Sequence, residues 1–140
     1  MSKKINIVGS GSKLYKSVKL SNEVVIANEY RTSEVLHNKN LIRDGEVYIV
    51  FSLLTHVQLQ DLFKETKSIV VIIGSCSALS KIANRFRYSK LKKNQLDFVV
   101  NNKKTNLKCV LFGDFKLEKE RQGLKYTSYK NTFWSDILEA

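Results

Sequence analysis

The 140-residue chain has no proline, two cysteines and six glycines, and its 24 Lys/Arg outnumber 13 Asp/Glu. Each scarcity excludes something. Without proline, a Gly/Ser-rich stretch or an internal repeat, nothing marks a linker, and residues 1–140 read as one domain. Cys76 and Cys109 are too few for a disulfide framework, and no Cys/His cluster accompanies them, so no metal site is expected. No apolar run approaches the roughly 18 residues of a membrane span. The basic start MSKKINIVGS carries too short an apolar stretch for a secretory signal. A cytoplasmic protein is the expectation.

Hydrophobic residues make up 43% of the chain, which excludes a disordered polymer. The net charge is +11 and uneven: residues 81–140 carry 14 Lys/Arg against 6 Asp/Glu, residues 1–80 only 10 against 7. Such a charge can attract nucleic acid, anionic lipid or a phosphorylated small molecule, or can be no more than a solvated basic surface.

Short, continuous, β-branched runs punctuate the chain: INIV (5–8), EVVIA (23–27), VYIVFSLL (47–54), SIVVII (68–73) and LKCVLFG (107–113). Runs of this kind suit strands buried on both faces, as in a parallel sheet. Between them lie helical candidates at 13–20, at 32–44 with Thr32 or Ser33 as N-cap, at 56–67 with Val57, Leu59, Leu62 and Phe63 on one face, and at 77–102. Alternating strand and helix predicts an α/β, Rossmann-like three-layer fold with a mostly parallel sheet of about five strands. Phe133 and Trp134 are read as an anchor docking the C-terminus onto the body or onto a second subunit.

Gly9 and Gly11 follow the first strand, where a doubly wound sheet turns its backbone beneath a dinucleotide pyrophosphate. Leu14 stands where the full G-x-G-x-x-G fingerprint has its third glycine, which implies a displaced first helix. The competing reading is a turn that needs glycine only for its own conformation. After the second run, Asn28 occupies the usual place of a ribose-binding acid and Arg31 follows, which favours NADP(H) over NAD(H).

Ser75 ends the SIVVII strand at the carboxyl edge of the sheet. Tyr88 follows thirteen positions later and Lys92 four beyond that, at a spacing that shares one helix face. An ammonium near a phenol favours the phenolate, so the pair can exchange a proton with an alcohol or carbonyl while a serine hydroxyl holds the same oxygen. The competing reading is an N-capping serine and a solvated basic helix.

Ser75, the Tyr88-x-x-x-Lys92 segment and the glycine turn together resemble the short-chain dehydrogenase/reductase superfamily. The resemblance covers about residues 4–115. It implies a substrate-oxygen donor at Ser75, the acid/base at Tyr88, and a modulator and ribose ligand at Lys92. It also implies cofactor contacts at Gly9, Gly11, Ser12 and Arg31, a bound NAD or NADP, and an alcohol or carbonyl substrate such as a nucleotide sugar. A homodimer through the helices flanking the VYIVFSLL and SIVVII strands belongs to the same implication. The chain is shorter than the family norm. One βα unit before VYIVFSLL is missing or compressed into 32–46, and SLLTH stands where the family often has Asn-Ala-Gly. A non-catalytic relative is therefore kept open.

A rival reading of another class uses the basic residues Arg85, Arg87, Lys90, Lys92, Lys93, Lys103, Lys104 and Lys108, with Tyr126 and Tyr129, as a surface for nucleic acid. Cys76 with His56 lacks a third orienting group for nucleophilic catalysis, and His37 with His56 makes no metal site.

Overall fold

The computed structural model describes residues 4–19, 25–63, 65–75, 87–102 and 106–112 and the helical positions Trp134 and Ile137; the side chains of 17–19, 75, 88, 111 and 112 lie outside that description. Among the described residues five strands, β1 (Ile5–Val8), β2 (Asn28–Tyr30), β3 (Val47–Val50), β4 (Ile69–Ser75) and β5 (Leu107–Phe112), form one sheet in the order β2-β1-β3-β4-β5. Every pairing is parallel. The helices between them are α1 (Lys13–Lys19), α2 (Thr32–His37), α3 (His56–Phe63) and α4 (Arg87–Asn102), with a 3-10 turn at Lys39–Leu41. This is the expected α/β, Rossmann-like architecture.

The strand order dictates the layers. From β1 the chain steps one way to β2, then jumps back over β1 to β3 and continues in that direction. Right-handed crossovers then put α1 on one face and α2, α3 and α4 on the other. The core divides accordingly. Val35, Leu59, Phe63 and Phe98 pack with Val8, Val50, Val70 and Ile72 on one side. Tyr15 packs with Ile7, Ile49, Val71 and Ile73 on the other. Period-2 alternation along β4 serves both faces at once, which is why its residues form an unbroken apolar run. Trp134 and Ile137 join the α1-side cluster and are 5% and 1% exposed, so the tryptophan docks on the body of this chain.

Three expectations need correction. The second strand is Asn28–Tyr30, after the apolar run 23–27, and Val25 is 85% exposed. Polar pairing fixes this register: Asn28 Nδ2 donates to Asn6 Oδ1 at 2.8 Å, and the Tyr15 hydroxyl donates to Glu29. Asn6 in turn donates to Glu46 Oε1 at 3.0 Å and to the Val47 carbonyl at 3.2 Å, tying three neighbouring segments through one buried amide. Val57 is 76% exposed because it lies two residues, about 200°, round the helix from Leu59. Arg31, not Thr32 or Ser33, is the N-cap of α2, and its backbone N–H donates to the Glu34 carboxylate at 3.0 Å. Of the expected helix at 77–102, residues 77–86 lie outside the described residues.

Candidate functional site

β1 and β3 are neighbours whose outgoing connections leave in opposite directions. The strand ends must part there, and doubly wound sheets bind ligands at such a point. A cleft of about 470 Å³ opens at this place. Gly9, Gly11 and Ser12 form one wall, Arg31, Thr32 and Ser33 a second, and Phe51, Ser52 and Leu53 a third. Its size lies within the roughly 300–1,000 Å³ of small-molecule sites.

The two glycines differ in what the chain asks of them. Gly9 has φ +95°, in the left-handed region, and a Cβ there would stand 2.5 Å from Ser52 Oγ and 2.8 Å from the Ser52 nitrogen. Folding alone explains it. Gly11 has no such constraint: a Cβ on it would meet nothing within 4 Å. Gly11 is exposed and lines the cleft, and its missing side chain leaves open space there.

Polar groups surround that space. The Gly9 and Ser10 N–H groups both donate to the Tyr30 carbonyl, at 2.8 and 3.0 Å, so they hold the turn to β2. The Ser12 hydroxyl accepts from the Tyr15 N–H at 3.4 Å, which leaves its own hydrogen for another acceptor. The Thr32 and Ser52 hydroxyls share a hydrogen bond of 2.6 Å across the cleft. Arg31 is exposed and, among the described residues, is the single charged one of the lining, which includes no described carboxylate. Phe51 lies against the Tyr15 ring, centroids 5.1 Å apart, and supplies an apolar wall. The lining thus combines hydroxyl and guanidinium donors with one aromatic wall.

No family model, curated protein or solved structure matches the chain.

The second candidate cluster lies further along the sheet edge. Ser75 is the last residue of β4, in register with Phe112, and Tyr88 is the second residue of α4. The side chains of both lie outside the described residues. Lys92 is 4% exposed, and its ammonium donates to the Ile73 carbonyl at 2.6 Å. That bond brings the first turns of α4 against the carboxyl end of β4. Burial pushes the Lys92 ammonium down to about 8, partly offset by the Cys109 thiol, and burial pushes Cys109 up to about 11, partly offset by Lys92. Lys92 is not among the residues lining the cleft. It is not part of a solvated basic run either, whereas Arg87 and Lys90 on the same helix are exposed.

Of the remaining sequence candidates, Arg85, Lys103, Lys104, Tyr126, Tyr129, Phe133 and Cys76 lie outside the described residues. His56 Nε2 sits 2.7 Å from Gln60 Nε2, and its ring packs edge-on to Phe98. Among the described residues no group of three or more His, Cys, Asp or Glu side chains could hold a metal ion. No described helix is long and apolar enough to cross a membrane. Thr32, Ser33, Phe51, Ser52 and Leu53 escaped the sequence reading as site residues. Their one signal is position: Phe51–Leu53 directly follow the strand that neighbours β1, a fact available only once the strand order is known.

Proposed function

We propose that the chain binds a nucleotide of the NAD(P) class in the cleft between the ends of β1 and β3. One observation carries this reading: at the switch point of a parallel sheet, an unobstructed Gly11 lines a cleft together with hydroxyls and an exposed arginine. Ser12 and Gly11 would hold phosphate, while Arg31, Thr32 and Ser33 would hold the ribose end, Arg31 favouring a 2′-phosphate. Bound nicotinamide would supply hydride transfer to or from an alcohol or carbonyl carbon. Within this reading Tyr88 moves a proton at the substrate oxygen, Ser75 orients that oxygen, and Lys92 supplies positive charge from beneath, anchored on the Ile73 carbonyl. Substrate oxidoreduction of the short-chain dehydrogenase type is the finer form of the proposal.

A second reading, binding without turnover, is favoured by one observation: the Lys92 ammonium is turned into the protein and spends a hydrogen bond on backbone.

Titration with NADH and NADPH, followed by reduced-cofactor fluorescence, tests the common part. Saturable binding by the wild type, lost in Gly11→Trp with unchanged unfolding, is expected. No saturable binding by the wild type refutes the proposal. Tyr88→Phe then separates the two readings: a turnover lost in the variant supports redox catalysis, and an unchanged rate clears Tyr88 of its role.

A further inference from the structure

Helix α4 turns a second polar side chain inward one turn after Lys92. Gln95 is fully buried, and its Nε2 donates to the Ser52 carbonyl at 2.7 Å. Ser52 is the residue at which the cleft walls meet. Its hydroxyl bonds Thr32, and its backbone nitrogen and side chain fill the space a Gly9 Cβ would need. One glutamine amide on the far helix therefore fixes the residue on which all three walls lean.

This tie has a cost. Among the described residues Gln95 Oε1 is buried without a hydrogen-bond partner. An unsatisfied buried acceptor lowers stability. A buried polar group kept at such a cost is expected where function benefits from it.

We propose that Gln95 is a positioning residue of the cleft: through the Ser52 carbonyl it holds Phe51–Leu53 in the arrangement that receives the ligand. The proposal rests on the cleft being a nucleotide site. The assigned role is distinct from that of Lys92, whose bond goes to β4.

The test uses the full chain, NADH and NADPH as probes, and Gln95→Met. Gln95→Met removes the unpaired Gln95 Oε1 but takes the donor from the Ser52 carbonyl, so the urea midpoint is expected to fall modestly while unfolding stays cooperative. Loosening the Ser52 wall is expected to weaken nucleotide binding at least about fivefold. Wild-type affinity in Gln95→Met overturns the proposal, as does an affinity loss that merely tracks a loss of stability. A wild-type measurement guards against a variant that fails to fold: the side-chain amide resonances of Gln95 are expected to shift as NADH or NADPH is added. Their constancy while Gly11 and Ser52 resonances move also overturns the proposal. Absence of any binding to wild type is a separate outcome, visible before a variant is made, and it removes the cleft reading together with this one.

Discussion

Replacing the two glycines of the first turn by alanine, one at a time, should give opposite results. At Gly9 two costs add. The left-handed backbone, φ +95°, costs a residue with a Cβ about 1–2 kcal/mol. The new methyl would lie 2.8 Å from the Ser52 nitrogen and 3.3 Å from the Phe51 carbonyl carbon, atoms of a backbone that Gln95 and Phe51 packing hold in place. Overpacking of that kind costs about 1–3 kcal/mol. The sum is about 2–5 kcal/mol. For a domain of this length about 1 kcal/mol corresponds to about 3–4 °C, so a fall in Tm of about 10 °C is expected. At Gly11 the methyl meets nothing within 4 Å, and no left-handed φ opposes it. Stability should be unchanged or higher by about 0.4–1 kcal/mol through the lost freedom of the unfolded chain. Urea unfolding of both variants, with equal slopes, measures the difference directly. The reasoning is refuted if Gly9→Ala loses less than about 1 kcal/mol, or if Gly11→Ala loses as much as Gly9→Ala.

Two further outcomes concern buried polar groups. Asn6→Leu removes three side-chain hydrogen bonds that tie β1 to Asn28, Glu46 and Val47. It should lower stability by about 1–3 kcal/mol, with amide hydrogen exchange of Asn28–Tyr30 rising more than that of β4. Lys92, held at about 8 against an ordinary 10.5, binds fewer protons folded than unfolded between those values, so its contribution to stability rises with pH across that window. Below about pH 8 the buried charge costs about 3 kcal/mol, offset in part by its bond to the Ile73 carbonyl. Lys92→Met should therefore be more stable than wild type at pH 7, and the gap should shrink by pH 9.5. A gap that stays constant between those pH values in urea unfolding contradicts a buried ammonium.

The strands that the sequence made legible are those buried on both faces. SIVVII runs unbroken because helical layers press on both its faces, and INIV, SIVVII and LKCVLFG each match their strand within one or two residues. β2 was not legible, because it lies at an edge of the sheet and its register is set by Asn28 and Glu29 rather than by apolar burial. VYIVFSLL reads as one strand, yet the ladder stops at Val50. Phe51, Ser52 and Leu54 stay buried beyond the sheet edge because the loop folds back beneath the cleft. Half of the cleft followed from sequence, since glycines after a first strand have few physical uses. The wall at Phe51–Leu53 did not, because it depends on which strand neighbours β1. The inward turn of Lys92 was equally hidden, since a lysine in a basic helix is exposed by default.

The polar side chains of α4 bear on function from another direction. A helix packed on a parallel sheet gains most from apolar residues on its inner face, and replacing buried charge by hydrophobic side chains of similar volume is often neutral or stabilising. α4 follows that rule with Phe98, fully buried in the core, and departs from it at Lys92 and Gln95. Both departures fall where the helix passes the carboxyl ends of β3 and β4, and both spend their donors on strand-end carbonyls. Gly11 departs from local economy in the same region, since alanine there would cost the fold nothing that the surrounding atoms impose. Departures scattered at random would mark tolerated drift. Lys92, Gln95 and Gly11 lie along one edge of the sheet, and natural sequences break local rules chiefly where a site needs them broken. That edge is where parallel sheets bind their ligands. If Gly11→Ala and Lys92→Met leave the protein as stable as wild type or more so at pH 7, stability cannot be what keeps those two residues there.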